Sequence, residues 1–246
     1  MNTFFLDRLN SEPHALAFAG QSTPWPVALA DQSANPALDE ALHTHAAAAQ
    51  ALLYPVSAEL LATTGRPVDL FGFEPNPARL GAAAAASASV PGIALTQLGA
   101  LLDAAALGYN PAQAKPVAVL GHSQGVLAVH MVQAICEAGS IDAAAAKIDE
   151  ILAIATLIGV AGTRQARQLG LAARHGEATP MLSVKDITRA QVDALIERVD
   201  GARGPIAVAV TNSATHYVLS GYPEDLAAFG VEVAKEHKRQ AQLREE

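Results

Sequence analysis

The sequence predicts an α/β protein built in two parts, on two observations. Around Ser123 an apolar strand, a Gly-x-Ser-x-Gly turn and an apolar helix follow directly on one another. After Met181 the pattern of apolar residues runs in the order β-α-β-β-α. The expected division puts residues 1–177 in the first part and 178–246 in the second.

Taken along the chain, HALAFAG reads as a short buried strand that ends in the turn Gly20 to Pro24. The alanine runs at 46–49, 82–86 and 143–146 are expected in packed helices, because alanine is the best helix former and Leu, Ile and Val recur around each run. Between them, Arg66 to Pro77 carries three prolines and one glycine, which marks a loop with a binding role open to it. Val117 to Leu120 is the strand before the Ser123 turn, and VLAVHMVQAICEAG the helix after it. In the second part Met181 to Val184 is a strand. Thr188 to Val199 is an amphipathic helix with Val192, Leu195, Ile196 and Val199 on one face. Ile206 to Val210 and Tyr217 to Ser220 are two strands across the turn TNSATH, and a helix begins at Pro223.

Composition narrows the function. A chain of 246 residues that is 51% hydrophobic can bury a core. Its net charge of -8 and unclustered Lys and Arg exclude a nucleic-acid surface. One cysteine, Cys136, makes no internal disulfide and reads as a small core residue; with no basic, apolar leader at the start, a cytoplasmic location is expected. No membrane span is expected either: the nearest apolar run, Ile151 to Gly162, has the length of a buried helix. His43 and His45, two apart on a helix, diverge and make a poor metal pair, so no metal is expected.

Strand, tight turn and helix around GHSQG form a nucleophile elbow. Gly121 and Gly125 leave room for the turn, Ser123 projects at its apex, and the amide of Gln124 at the helix start can face a developing oxyanion. The competing reading is a chance Gly-Ser-Gly pattern in an Ala-, Gly- and Ser-rich chain; the strand before and helix after favour the elbow.

GHSQG, with AFAGQSTPW upstream, resembles the malonyl/acetyl acyltransferases. TPMLSVKDITRAQVDALIERV and GPIAVAVTNSATHYVLSG are similar to the small subdomain of that family, most like the N-terminal acetyltransferase region of type I fatty acid synthases. Two positions depart from the pattern: GQS stands where many members have GQG, and Val126 where many have glutamate. The resemblance implies an α/β-hydrolase-like core with an inserted ferredoxin-like subdomain, the last part of the core lying beyond this sequence. It also implies an acyl-serine enzyme that moves acetyl from acetyl-CoA to the phosphopantetheine thiol of an acyl carrier protein, with no bound cofactor, beside other fatty acid synthase domains in a large homo-oligomeric assembly.

By the same resemblance the oxyanion donors are the amides of Gln124 and Gln21, and Asn212 faces the cleft; Gln21 also reads as an ordinary strand-end turn residue, and Asn212 as one that bonds its own turn. Malonyl-using relatives hold a carboxylate with an arginine before a glycine. Here Ile158 precedes Gly159, so acetyl is expected. Ile158 as a plain core residue, with Arg164 in the carboxylate role, is the alternative. The family's histidine base falls after the small subdomain; His175, His216 and His237 read as solvated or structural. Other readings are a malonyl or palmitoyl transferase, a serine esterase or thioesterase, and a non-catalytic scaffold of a megasynthase.

Overall fold

The computed structural model describes residues 8–20, 24–52, 71, 86–168, 181–199 and 201–245. Backbone contacts divide the chain into two compact units, Met1–Gln168 and Leu169–Glu246.

In the first unit β1 (Ala15–Phe18) and β2 (Ala118–Gly121) pair in parallel, Ala15 opposite Ala118 and Phe18 opposite Gly121. The helices are α1 (Trp25–Ser33), α2 (Pro36–Leu52), α3 (Ala86–Ala106), the single turn α4 (Pro111–Ala114), α5 (Val126–Ala138) and α6 (Ala145–Gln168). α3 is the spine of the core: Ile93, Leu95 and Leu98 are wholly buried, and α1, α2, α5 and α6 pack around it. Leu16, Phe18 and Val119 lay one face of the sheet against the same cluster. α5 stops at Gly139, whose φ of 89° is the left-handed conformation that closes a helix and favours glycine.

In the second unit β3 (Met181–Lys185), β5 (His216–Ser220) and β4 (Ala207–Ser213) form one sheet in the order β3-β5-β4, each neighbour antiparallel. With α7 (Arg189–Val199) and α8 (Pro223–Glu245) this is the expected β-α-β-β-α order. The predicted apolar stripe on α7 is the buried one: Val192 and Leu195 meet Leu219 and Phe229 in the core, with Ile196 and Val199 at its edge. The start of α7 is set by a reciprocal cap. Thr188 Oγ1 accepts from the Gln191 amide at 3.4 Å, and Gln191 Oε1 accepts from the Thr188 amide at 2.9 Å.

Several expectations change. β2 runs one residue further than Val117 to Leu120 and starts one later. Thr211 to Ser213 belong to β4, so the turn shrinks to Ala214 and Thr215, and His216 is a strand residue. Ala143 and Ala144 precede α6 rather than lie in it. Cys136 is exposed, not core: α5 buries Met131, Val132, Ala134 and Ile135, and Cys136 falls off that stripe. Among the described residues the helix long and apolar enough to be a membrane-span candidate is α3 rather than Ile151 to Gly162. Its 21 residues are long and apolar enough to cross a bilayer, but the helix is mostly buried inside the protein, as a core helix is. Of the Arg66 to Pro77 loop only Phe71 is among the described residues, its ring stacked on His43 at 3.6 Å.

Candidate active site

The turn between β2 and α5 is held open by its glycines. A Cβ on Gly121 would come within 2.6 Å of the Val126 nitrogen, and one on Gly125 would strike the Phe18 carbonyl of the neighbouring strand. No side chain fits at either place. Ser123 sits between them with a φ of 55°, one of three non-glycine residues with positive φ among those described. Such a conformation costs a residue with a Cβ about 1–2 kcal/mol. A single turn of 3-10 helix, Ser123–Gly125, carries the chain from the strand into α5. Ser123 is exposed, and its side chain has no hydrogen-bond partner among the described residues.

The strand end of β1 is fastened to this turn. The His122 amide donates to the Phe18 carbonyl at 3.0 Å, and Gln97 from α3 donates through Nε2 to the Ala19 carbonyl at 2.5 Å. Gly20 comes next, so close that an added Cβ would lie 2.6 Å from the His122 carbonyl and 2.8 Å from the Ser123 Cβ. The two landmarks of the sequence, Gly20 and Ser123, are therefore in contact. Gln21 lies outside the described residues. Gln124, the other expected amide donor, is the second residue of the 3-10 turn, and its side-chain Oε1 is buried.

Residues 74–244 match the model of a protein family described as starter unit:ACP transacylase in aflatoxin biosynthesis. The chain belongs to this family. The fatty acid synthase beta subunit hexB of Dothistroma septosporum is 30% identical over 128 residues, which covers 47% of this chain and 7% of that subunit. The malonyl CoA-acyl carrier protein transacylase (fabD) of Coxiella burnetii superposes with a TM-score of 0.54 at 18% identity, over 92% of this chain and 58% of that one. The chain thus shares the acyltransferase fold and the malonyl/acetyl acyltransferase family its motifs imply, while spanning less than two thirds of either relative.

The remaining expected site residues are placed as follows. Ile158 stands on α6 and is 52% exposed, so it is not a core residue. Gly159 beside it packs onto the Ala86 backbone at the start of α3, where a Cβ would lie 3.1 Å from the Ser87 Cα. Arg164 is further along the same helix, exposed and engaged in an interaction. Asn212 belongs to the second unit, on β4, with its amide nitrogen 3.4 Å from His216 Nε2. His237 bonds the Lys185 carbonyl at 3.0 Å, while His43 and His45 turn to separate partners, Asp39 and Asp149. His175 lies outside the described residues.

Sequence reasoning missed two contributors. Gln97 is a lone amide in the mostly apolar middle of α3; a polar side chain there has to find a buried acceptor, which is the signal that was present. Ser183 gave no signal: it lies in a strand and meets His216 only through sheet register.

Proposed function

We propose that the protein is an acyl carrier protein transacylase in which Ser123 carries the acyl group. The observation behind this reading is the strained, exposed Ser123 at the head of α5 with the Gly20 turn seated on it. A nucleophilic serine needs to project from a rigid turn, with backbone N–H groups aimed where the carbonyl oxygen of its substrate will become an oxyanion. The Gln124 amide at the start of the helical turn is one such group, and the Gln21 amide, following Gly20, is the other.

In the reaction Ser123 Oγ attacks the carbonyl carbon of an acyl-CoA, its proton leaves to a general base, and the C–S bond breaks to release coenzyme A. The thiol of an acyl carrier protein phosphopantetheine then attacks the acyl-serine and regenerates Ser123. Thioester and thiol are the only reactants this requires, so no bound cofactor enters. By the family resemblance the base is a histidine that follows the small subdomain, and none of the eight histidines of this sequence is assigned to it. Likeness to hexB supports work beside other fatty acid synthase domains in a large assembly.

The acyl group proposed is acetyl. Ile158 presents an apolar side chain where malonyl-using relatives present arginine, and a buried carboxylate facing it would lose its hydration without a partner. The test is intact-mass and peptide analysis after brief exposure to acetyl-CoA. An acetyl group on the peptide containing Ser123, absent from Ser123→Ala and discharged by acyl carrier protein, is expected. Undiminished transfer by Ser123→Ala would remove the assignment.

A further inference from the structure

The helix-free face of the sheet in the second unit carries three polar side chains in contact, one from each strand. Ser183 on β3 and His216 on β5 are linked, Oγ to Nε2, at 2.9 Å. Asn212 Nδ2 on β4 approaches the same Nε2 at 3.4 Å. The strand period places them outward: Val184, Tyr217 and Leu219 are buried under the helices, and Ser183 and His216 alternate with them. Asn212 reaches them because β4 is irregular here. The register runs from Thr211 opposite Tyr217 to Ser213 opposite His216, leaving Asn212 as the extra residue of a β-bulge. Bulges redirect side chains and concentrate beside active sites.

The hydrogen-bonding roles follow from the chemistry of the groups. In the neutral imidazole with its hydrogen on Nδ1, Nε2 of His216 offers one lone pair, and Asn212 Nδ2 stands 3.4 Å from it. The Ser183 hydroxyl, nearer at 2.9 Å, is the donor that takes this lone pair, which is the arrangement of a serine with its general base. All three side chains stand on strands of one sheet, which holds such a geometry better than loops would. Ser183 and Asn212 are exposed, so a reactant reaches the hydroxyl from solvent.

We propose that Ser183, activated by His216 and flanked by Asn212, is a second acyl-accepting serine, reacting with acyl thioesters and activated acyl esters independently of Ser123. Ser183 Oγ forms the new ester bond to the acyl carbon and the bond from that carbon to sulfur, or to the ester's leaving oxygen, breaks. The Ser183 proton passes to His216 Nε2 and on to the departing thiolate or alkoxide, so nothing is oxidised or reduced.

The experiment uses the whole chain carrying Ser123→Ala, which separates this site from the one proposed above, with p-nitrophenyl acetate as probe. Lys147 and Arg164 lie between the two serines, so trypsin puts them on different peptides. Acetyl on the peptide ending at Lys185, removed by hydroxylamine as an ester and not an amide of Lys185, is expected. Ser183→Ala should abolish it, and His216→Gln should slow it by about 100-fold, the low end for loss of a general base. No ester at Ser183, or an unchanged labelling rate in a folded His216→Gln protein, overturns the proposal.

Discussion

Gly20 rests on Ser123: a Cβ added to Gly20 would sit 2.8 Å from the Ser123 Cβ, nearer than two carbons can approach. Gly20→Ala therefore has to move Gly20 away from the elbow, and the proposed oxyanion donor Gln21 is the next residue in the chain. Loss of one oxyanion donor costs about 100- to 1,000-fold in turnover. The rate of acyl-serine formation in Gly20→Ala is expected to fall within that range, while circular dichroism stays native. A rate within a factor of about two of the parent would show that the turn contributes nothing to the reaction.

Ser123→Gly separates strain from chemistry. The φ of 55° is costly for serine and free for glycine. Relief of about 1–2 kcal/mol is partly offset by the extra backbone entropy glycine loses on folding, about 0.5–1 kcal/mol. Thermal unfolding of Ser123→Gly should thus show equal or slightly greater stability, with acylation abolished. A clear loss of stability would mean the hydroxyl holds the fold, not the acyl group.

Ile158→Arg tests substrate choice. A guanidinium would give a malonyl carboxylate a charge-assisted pair and would bury its own charge whenever acetyl is bound. The ratio of kcat/KM for malonyl-CoA over acetyl-CoA is expected to rise by roughly ten-fold or more, for about 1.5–3 kcal/mol of charged hydrogen bonding. An unchanged ratio would place Ile158, which is half exposed on α6, away from the acyl pocket.

His45 and Asp149 tie α2 to α6 through a 2.6 Å contact between side chains that are 13% and 17% exposed. Asp149→Ala leaves the imidazole nitrogen half-buried and unpaired, and is expected to lower stability by about 1–2 kcal/mol in urea unfolding. His45→Leu in the same background should cost little more, because the orphaned polar atom is then gone.

Glu236 on α8 sets an acid limit for the second unit. Its carboxyl is held down to about 2, first by its hydrogen bond from Arg239 and further by Gln240 and Gln191. A folded value below the ordinary one means that the stabilisation is full above about 4.5 and is lost as pH falls toward 2. Because Gln191 Nε2 bridges α7 to Glu236 at 3.1 Å, acid should loosen that helix pair. Helicity followed from pH 5 to 2 is expected to fall less steeply in Glu236→Gln than in the parent.

The sequence by itself determined the elements whose information is local. The Gly-x-Ser-x-Gly spacing specifies the elbow because no side chain fits at Gly121 or Gly125. The stripe Val192, Leu195, Ile196, Val199 specifies which face of α7 is buried, since helix period and apolar spacing coincide. The tertiary structure alone decided what depends on which distant segments meet. It puts Gly20 against Ser123, 103 positions apart, through the parallel pairing of β1 with β2. It exposes Cys136 and half exposes Ile158, because each falls on the outward side of a helix whose apolar composition hides its orientation. It also joins Ser183, Asn212 and His216, by a register and a bulge that are properties of three paired strands rather than of any one of them.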